Sequence, residues 1–438
     1  MWVRNPVENR RSQSSNSLKN SNKKKFSFRK FLKTLGPGII TGASDDDPSG
    51  IATYTQAGAS FGMSTLWTAF ITVPLMAAIQ EMCARIGIVT SKGLAATIKQ
   101  YYSKSLLYVM ILLSLPAITL NIGADIQGMG AVANMLMPTV PVFAFSCGFS
   151  LLMMYVIIQF PYKKIAGILK WLCLSLMLYI LVPTMVDLDW GSVLRGVCLP
   201  EIKWNSDFFI ILVGILGTTI SPYLFFWQAT MEAEEHQHRK KNVLVDKRIL
   251  GEMEVDVNLG MIFSNLVMFF IILTAGGVLH QKGVTQINTV HEAAAALEPL
   301  LGKLAYLFFA LGVIGTGLLA IPVLAGAQSY MLSEAFGWAS GLDKKFGQAR
   351  AFYVTIILSL LVGLSLDFFG ISPLKALLYT AVLYGITAPV LIGIILMIAN
   401  NKTVMGEFTN GKLSNFLGGL SFLFMLASAV ALIYFIMV

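Results

Sequence analysis

The sequence predicts an all-α polytopic membrane protein with eleven transmembrane helices. Of its 438 residues, 56% are hydrophobic and only 13% are charged, and the mean hydropathy is +0.71. Soluble domains carry about 25% charged residues, whereas about 20 consecutive apolar residues cross a bilayer as one helix. Because apolar runs of that length recur along the whole chain, the composition excludes a soluble globular protein.

Eleven apolar runs are separated by charged or turn-forming segments. The predicted spans are residues 35–60, 63–89, 105–135, 140–160, 164–187, 207–230, 253–277, 304–332, 349–367, 371–399 and 413–437. With the N-terminus placed in the cytoplasm, the inner segments hold 25 Lys and Arg residues and the outer loops hold four. Cytoplasmic loops are enriched in Lys and Arg. This asymmetry predicts a multi-pass protein of the cell membrane, with its N-terminus inside and its C-terminus outside.

Residues 1–33 form a separate, basic segment. They carry ten Lys and Arg residues and one acid, Glu8, among many Ser and Asn residues. Such a composition predicts a disordered cytoplasmic tail, which can contact anionic lipid headgroups. Because this tail accounts for the net charge of +9, the charge does not indicate a nucleic-acid partner.

The transmembrane domain, residues 34–438, divides into two halves of five spans and one extra helix. The parts are repeat one at about 34–187, repeat two at about 207–399 and the extra helix at about 413–437. The first span of each half is interrupted, at Asp45–Gly50 and at Thr218–Pro222. Ser44 and Thr218 each lie four residues before a proline, which favours an inverted repeat. Corresponding interruptions in two halves are the best sequence pointer to the binding site of a transporter.

The first interruption contains three consecutive acids, Asp45, Asp46 and Asp47, followed by Pro48. Burying one carboxylate in a bilayer costs about 2.5–3.5 kcal/mol, and proline disfavours helix at the residue before it. Unwound backbone is tolerated at membrane depth only where it lines a cavity or is buried in protein. Carboxylate and carbonyl oxygens are the ligands of hard divalent cations, of which Mg²⁺ keeps several waters. The break therefore predicts a cation site.

Four short motifs resemble the Nramp family of divalent-metal transporters. Gly36-Pro37-Gly38, Thr41-Gly42-Ala43-Ser44 and Asp47-Pro48-Ser49-Gly50 are similar to its first transmembrane helix, and Asn121-Ile122-Gly123-Ala124-Asp125 is similar to its third. The resemblance covers about residues 30–437. It implies a LeuT-like fold, a 5+5 inverted repeat with broken helices 1 and 6 plus one extra helix. It also implies a transporter rather than an enzyme, with a transported ion and no cofactor.

The resemblance implies which residues of helix one meet the ion. The family's metal-binding Asp corresponds to Asp47, and its carbonyl ligand three residues earlier corresponds to Ser44. Its Asn ligand corresponds to Gly50, so that side-chain ligand is lost. Fewer side-chain ligands leave room for an ion that keeps part of its hydration shell.

In helix six the resemblance places a carbonyl ligand at Thr218. The family's methionine corresponds to Ser221 and its histidine to Tyr223. A soft thioether selects soft transition metals, whereas serine does not. The substitution therefore favours Mg²⁺, and also Mn²⁺, as the transported ion.

Several positions that serve proton coupling in the family differ in this chain. Asp125 keeps the helix-three Asp, but Gly128 stands at the position of its Glu and Tyr223 at that of its histidine. The ninth span, 349–367, has no interior arginine. We therefore expect uptake driven by the membrane potential rather than by protons. This combination resembles the Nramp-related magnesium transporters, a divergent branch of the family.

Further polar residues are predicted to lie along the ion pathway. Asp45 and Asp46 either face an outer vestibule, where they attract cations, or cap the second half of helix one. Asp125 in the third span and Thr380 in the tenth are predicted to line the pathway. Asp256 in the seventh span either serves the cavity or caps a helix.

Three other functions fit parts of the pattern. A proton-coupled Nramp carrier of Mn²⁺ or Fe²⁺ would tolerate the substitutions. A cation-coupled organic solute transporter of the same fold would bind a substrate carboxylate at half-helix N-termini, which the three acids disfavour. An intramembrane aspartyl protease would pair Asp47 with Asp125, but no Gly-x-Gly-Asp motif accompanies them. We expect a monomer whose partners are a divalent cation and the lipid bilayer.

Overall fold

A computed structural model describes residues 36–161, 164, 167, 174–238 and 245–437. In this part of the chain all regular structure is helical. Its principal helices are α1 (Pro37–Asp45), α2 (Pro48–Phe61), α3 (Trp67–Thr90), α4 (Leu94–Tyr101), α5 (Lys104–Leu136), α6 (Val142–Gln159), α7 (Trp190–Cys198), α8 (Ser206–Thr219), α9 (Pro222–His238), α10 (Lys247–Ala275), α11 (Ala305–Phe336), α12 (Arg350–Leu364), α13 (Pro373–Ala399) and α14 (Lys412–Met437). The tail predicted over 1–33 and much of the fifth span predicted over 164–187 lie outside the described residues.

Nine helical segments among the described residues are long and apolar enough to cross a membrane, when α8 and α9 are counted together. They match the second to fourth and the sixth to eleventh predicted spans. The first predicted span, 35–60, is present as two shorter helices, α1 of 9 residues and α2 of 14. The prediction of an all-helical polytopic membrane protein is therefore confirmed.

Two helix pairs are interrupted where the sequence predicted the breaks. Asp47 leaves the helical region with φ −71° and ψ 172°, and Pro48 then opens α2. Ile220 leaves it with φ −105° and ψ 63°, and Pro222 opens α9. Proline suits the first position of a helix because the N–H that it lacks would have no partner within the helix. The last carbonyls of α1 and α8 are left without helical partners at the breaks.

Glycines let the broken helices approach their neighbours closely. A Cβ atom on Gly42 of α1 would lie 2.2 Å from the carbonyl oxygen of Gly260 in α10. A Cβ atom on Gly217 of α8 would lie 2.0 Å from the carbonyl oxygen of Ala381 in α13. Small residues permit such backbone contact between membrane helices. α1 is thereby fixed on α10 and α8 on α13, while α5 packs against α11 and α13.

The seventh predicted span started at 253, whereas α10 begins at Lys247. The Asp246 carboxylate caps the helix by accepting hydrogen bonds from the N–H groups of Arg248 and Ile249, both at 2.9 Å. The Arg248 guanidinium then pairs with Glu252 one turn later, at 3.1 Å. Hydropathy marks only the apolar part of a helix, so the polar first turns of α10 were missed.

Two helices outside the predicted spans were also missed. α7 is capped by Asp189, whose carboxylate accepts hydrogen bonds from Ser192 Oγ at 2.5 Å and from the Gly191 N–H at 3.0 Å. These two bonds hold the pKa of Asp189 below its usual value. α4 is tied to α11 because Glu334 accepts a hydrogen bond from the Ala96 N–H at 3.1 Å. Both helices are too short to give a span signal.

Candidate metal site

Asp47 lies at the first break and is held from two directions. Its Oδ1 accepts hydrogen bonds from the Gly50 N–H and from Ser49 Oγ, both at 2.8 Å, and thereby caps α2. Its Oδ2 accepts a hydrogen bond from Asn121 Nδ2 of α5 at 2.9 Å. The side chain is buried, with 1% of its surface exposed. Oδ1 therefore caps the start of α2, and Oδ2 faces α5.

Asn121 and Asp125 share one face of α5 because they are four residues apart. Asn121 Nδ2 lies 3.4 Å from Asp125 Oδ2, so the amide lies between the carboxylates of Asp47 and Asp125. Asn121 Oδ1 and Asp125 Oδ1 are buried and have no hydrogen-bond partner in the protein. Sequence reasoning missed a role for Asn121, although its spacing from Asp125 was a usable signal.

Asp45 and Asp46 face α10 rather than α5. Ser264 Oγ lies 2.6 Å from Asp45 Oδ2 and 3.4 Å from Asp46 Oδ1. Both acids are buried, so they do not face an open vestibule in this structure. They also do not cap α2, since Asp47 does so. Both expectations for this pair are corrected, because the end of α1 turns them toward the seventh span.

The two carbonyl positions that the resemblance implies are already hydrogen-bonded. Tyr223 Oη donates to the Ser44 carbonyl at 2.8 Å, from the second broken pair to the first. Ser221 Oγ donates to the Thr218 carbonyl at 2.5 Å, within the second break. The structure therefore joins four predicted site residues into two pairs, each made of a hydroxyl and a carbonyl.

The position of the lost ligand lies between the two broken pairs. A Cβ atom on Gly50 would lie 3.2 Å from Thr218 Oγ1 and 3.6 Å from the Asp45 carbonyl oxygen. Thr218 Oγ1 is buried and has no hydrogen-bond partner in the protein. Gly50 thus faces the end of α8, where Tyr54 of α2 also meets Thr219, with 3.1 Å between their hydroxyl oxygens.

Of the tenth-span residues, Tyr384 interacts with the acids, whereas Thr380 bonds its own helix. The Thr380 hydroxyl donates to the Leu377 carbonyl of its own helix at 2.9 Å. The Tyr384 ring lies 5.9 Å from the Tyr223 ring, centroid to centroid. Tyr384 interacts electrostatically with Asp47 and Asp125, and its buried Oη has no hydrogen-bond partner in the protein. The role of Thr380 in the pathway stays a prediction.

Four acids of the first break and α5 are buried, and none of them has a basic partner within the described part of the chain. The ion pairs recorded for the described residues are Arg248–Glu252 and Lys282–Glu298, and neither involves these acids. Several polar atoms around the breaks lack a hydrogen-bond partner among the described residues, namely Asp45 Oδ1, Asp46 Oδ2, Asn121 Oδ1, Asp125 Oδ1, Thr218 Oγ1 and Tyr384 Oη. Within the described part of the chain, no three His, Cys, Asp or Glu side chains converge as a metal cage. The arrangement suits a cation held partly by backbone, hydroxyl and water oxygens.

A cavity of about 450 Å³ approaches the breaks from one end of the helix bundle. Ala52, Gln56 and Ser60 lie at its wall on one face of α2. Other parts of the wall come from α8, α13 and the loop that contains residues 285–288. Asp47, five residues before Ala52, is closed off from solvent.

The first turns of α1 are tied to α9 and α10. The Asp256 carboxylate of α10 accepts hydrogen bonds from the Gly36 N–H at 3.0 Å and the Gly38 N–H at 2.7 Å. Thr41 Oγ1 donates to Gln228 Oε1 of α9 at 2.5 Å. Capping a helix was one of the two roles expected of Asp256. The helix that it caps is α1, however, and not α10, to which Asp256 belongs.

The fold of the described residues resembles that of solved structures at low sequence identity. A solved structure of MhsT in complex with L-phenylalanine has a TM-score of 0.61 to this chain at 13% identity, covering 92% of this chain and 98% of MhsT. The manganese transporter of Eremococcus coleocola, solved with an aromatic bis-isothiourea compound, has a TM-score of 0.71 at 17% identity, covering 92% and 87%. At these identities the likeness is one of fold.

The chain belongs to the Nramp family: residues 38–435 match the natural resistance-associated macrophage protein-like sequences. A relative called divalent metal cation transporter MntH, from Pectobacterium carotovorum, is 25% identical over 396 residues, which cover 87% of this chain and 89% of the relative. A protein of the same name from Klebsiella pneumoniae is 26% identical over 396 residues, with the same coverage. The family resemblance drawn from the sequence is therefore confirmed.

Proposed function

We propose that this protein is a divalent metal cation transporter that takes up Mg²⁺, and also Mn²⁺, through a site between the two helix breaks. The observation that carries the proposal is the group of four buried carboxylates that have no basic partner among the described residues, beside the unwound ends of α1 and α8. Buried charges are otherwise paired or bound to a metal. Membership of the Nramp family and likeness to proteins named divalent metal cation transporters support the same conclusion.

The preference for Mg²⁺ rests on the chemistry of the donors. Asp47, Ser44, Thr218 and Ser221 offer carboxylate, carbonyl and hydroxyl oxygens, and Ser221 replaces the family's methionine. Hard cations bind oxygen, whereas a thioether would select softer metals. Because hydroxyls already bond both carbonyls, the ion is bound in partly hydrated form, with waters that reach the unpartnered polar atoms.

The driving force is the membrane potential rather than a proton gradient. Gly128 and Tyr223 stand where the family resemblance expects a glutamate and a histidine, and α12 has no arginine after its first residue. Two positive charges that enter at −100 mV gain about 4.6 kcal/mol, at about 2.3 kcal/mol per charge. That gain is sufficient for accumulation without coupling to protons.

The topology that accompanies this function has eleven spans. The nine apolar segments, the broken pair of α1 and α2 and the fifth span predicted over 164–187 make up that number. Five spans form each inverted repeat, and α14 is the extra helix. The N-terminus lies in the cytoplasm, the C-terminus lies outside the cell membrane, and the protein is a monomer.

A second candidate is a proton-coupled carrier of Mn²⁺. The observation in its favour is the fold shared with a solved manganese transporter. The two candidates differ in what they transport and in whether a pH gradient is needed.

Magnesium influx into proteoliposomes separates the two candidates. The liposomes contain a magnesium-sensitive dye and are held at a negative internal potential without a pH gradient. We expect influx in the unmutated protein, loss of influx in Asp47→Asn, and normal influx in Asp189→Asn, a matched change of an exposed acid outside the spans. Absence of Mg²⁺ influx, in protein that moves Mn²⁺ once a pH gradient is applied, would establish the second candidate instead.

A further inference from the structure

We propose that Asn121 of α5 supplies the amide ligand that is lost at Gly50 of helix one. The inference rests on the proposed function, because it assigns one more ligand to the same cation site. Asn121 is fully buried, and its amide touches the carboxylate of Asp47, although 74 residues separate the two in sequence. The amide group would thus come from the third span instead of the first.

The two oxygens of Asp47 are not equivalent. Oδ1 already accepts two hydrogen bonds at the start of α2, from the Gly50 N–H and Ser49 Oγ. Oδ2 accepts one bond, from Asn121 Nδ2. A cation that binds Asp47 without disrupting the helix end must therefore approach Oδ2. There it meets the Asn121 N–H groups, which are donors and are repelled by a cation.

Rotation of the Asn121 amide resolves this competition. The amide carries an oxygen acceptor and a nitrogen donor of nearly equal size. A half-turn about its last side-chain bond exchanges the two, so that Oδ1 takes the place beside Asp47 Oδ2. In the present arrangement Oδ1 is buried and has no hydrogen-bond partner in the protein, which leaves it free for an ion. Without an ion the donor faces the carboxylates, and with an ion the acceptor faces the ion.

Asp125 responds to the same rotation. Asn121 Nδ2 lies 3.4 Å from Asp125 Oδ2, and it leaves this position when the amide turns. Asp125 Oδ1, which has no hydrogen-bond partner among the described residues, is then available for the waters of the bound ion. One side chain thereby links the occupancy of the site to both carboxylates.

Calorimetric titration of the purified full-length protein with MgCl₂ and with MnCl₂ tests the assignment. Asn121→Leu removes the amide at nearly constant size, and we expect the Kd for Mg²⁺ to rise at least about 10-fold. Asn121→Asp keeps an oxygen and removes the donor, so binding should stay close to that of the unmutated protein. Asn134→Leu is the matched control on the same helix, since its amide donates to the Val140 carbonyl and not to an acid.

The outcomes distinguish a ligand from a side chain that only positions Asp47. If Asn121 merely donates to the acids, Asn121→Asp would repel Asp47 and bind as weakly as Asn121→Leu, which would overturn the proposal. Unchanged affinity in Asn121→Leu would overturn it as well. If Asn121→Leu fails to fold, Asn121→Asp decides alone, because retained binding supports the ligand role and loss contradicts it. If Asp47→Asn also binds Mg²⁺ normally, the proposed function fails rather than this inference.

Restoration of the family's amide gives an independent readout. Gly50→Asn in the Asn121→Leu background should recover Mg²⁺ affinity, because the amide returns beside Asp47 from helix one. The Cβ atom would lie 3.2 Å from Thr218 Oγ1, so a shift of a few tenths of an ångström accommodates it. If the folded variant with both Gly50→Asn and Asn121→Leu does not recover Mg²⁺ affinity, the Asn121 amide does not stand in for the family's amide in helix one.

Discussion

Individual hydroxyl groups determine how an ion can meet the backbone at the two breaks. Tyr223 bonds the Ser44 carbonyl and Ser221 bonds the Thr218 carbonyl. A bare ion would have to displace both hydroxyls, whereas a hydrated ion can use its waters as donors to their oxygen atoms. The Tyr223 bond joins the two broken helix pairs, whereas the Ser221 bond stays within the second break. Tyr223 is therefore the better residue to mutate.

Tyr223→Phe removes the hydroxyl that bonds the Ser44 carbonyl and leaves that buried oxygen without a partner. We expect the free energy of unfolding to fall by about 1–3 kcal/mol. The exposed carbonyl should also favour Mn²⁺ over Mg²⁺, since Mg²⁺ gives up its waters reluctantly. Competition between the two metals in proteoliposomes measures the preference. In Tyr353→Phe, which loses a similar bond to the Lys344 carbonyl, the preference should stay unchanged. Equal preferences in all three proteins would contradict the role given to Tyr223.

Helical elements show what the sequence could and could not predict. Pro48, Pro222 and Asp47 fix the breaks through local rules of backbone geometry and capping, so the breaks were predicted correctly. The side chains that meet at the breaks were not, because Asp45 and Ser264 are 219 residues apart and Gly38 and Asp256 are 218 apart. Such contacts depend on which helices pack together, and helix pairing of this kind cannot be predicted from a single sequence.

Asp256→Ala removes the cap that holds α1 on α10. Loss of a cap costs about 0.5–2 kcal/mol of stability, and α1 carries Ser44 and Asp45 at its far end. We therefore expect a lower thermal unfolding midpoint and a higher KM for Mg²⁺ influx. Asp246→Ala removes a comparable cap from α10 and should lower stability without changing KM. A KM that rises equally in both variants would show that the effect is unrelated to α1.

Gly260→Ala tests the close approach of α1 and α10. The added Cβ atom would lie 2.2 Å from the Gly38 carbonyl oxygen, so the helices must separate. Overpacking of this kind costs about 1–3 kcal/mol, and we expect a clear drop in the thermal unfolding midpoint. Gly251→Ala on the same helix meets nothing within 4 Å and should gain up to about 1 kcal/mol from helix propensity. Similar midpoints for the two variants would argue against the packing explanation.

At the scale of the described residues, the protein is an apolar helix bundle that buries several acids beside its two helix breaks. Composition alone predicted the bundle, because an excess of apolar residues and few charges permit little else. Composition did not predict that the acids divide between two neighbours, Asp47 toward α5 and Asp45 with Asp46 toward α10. The triplet looked like one site in the sequence, and the end of α1 turns its members in different directions.

The hydroxyl bonds to the Ser44 and Thr218 carbonyls also bear on how fast an ion leaves. An ion that displaced the hydroxyls from these carbonyls would cost the protein hydrogen bonds worth about 0.5–1.5 kcal/mol each, and the bonds would re-form as the ion departs. Differences in affinity between related complexes lie mostly in the dissociation rate, and release commonly limits turnover. On the proposed function, Tyr223 and Ser221 would therefore speed the release of any ion that displaced them.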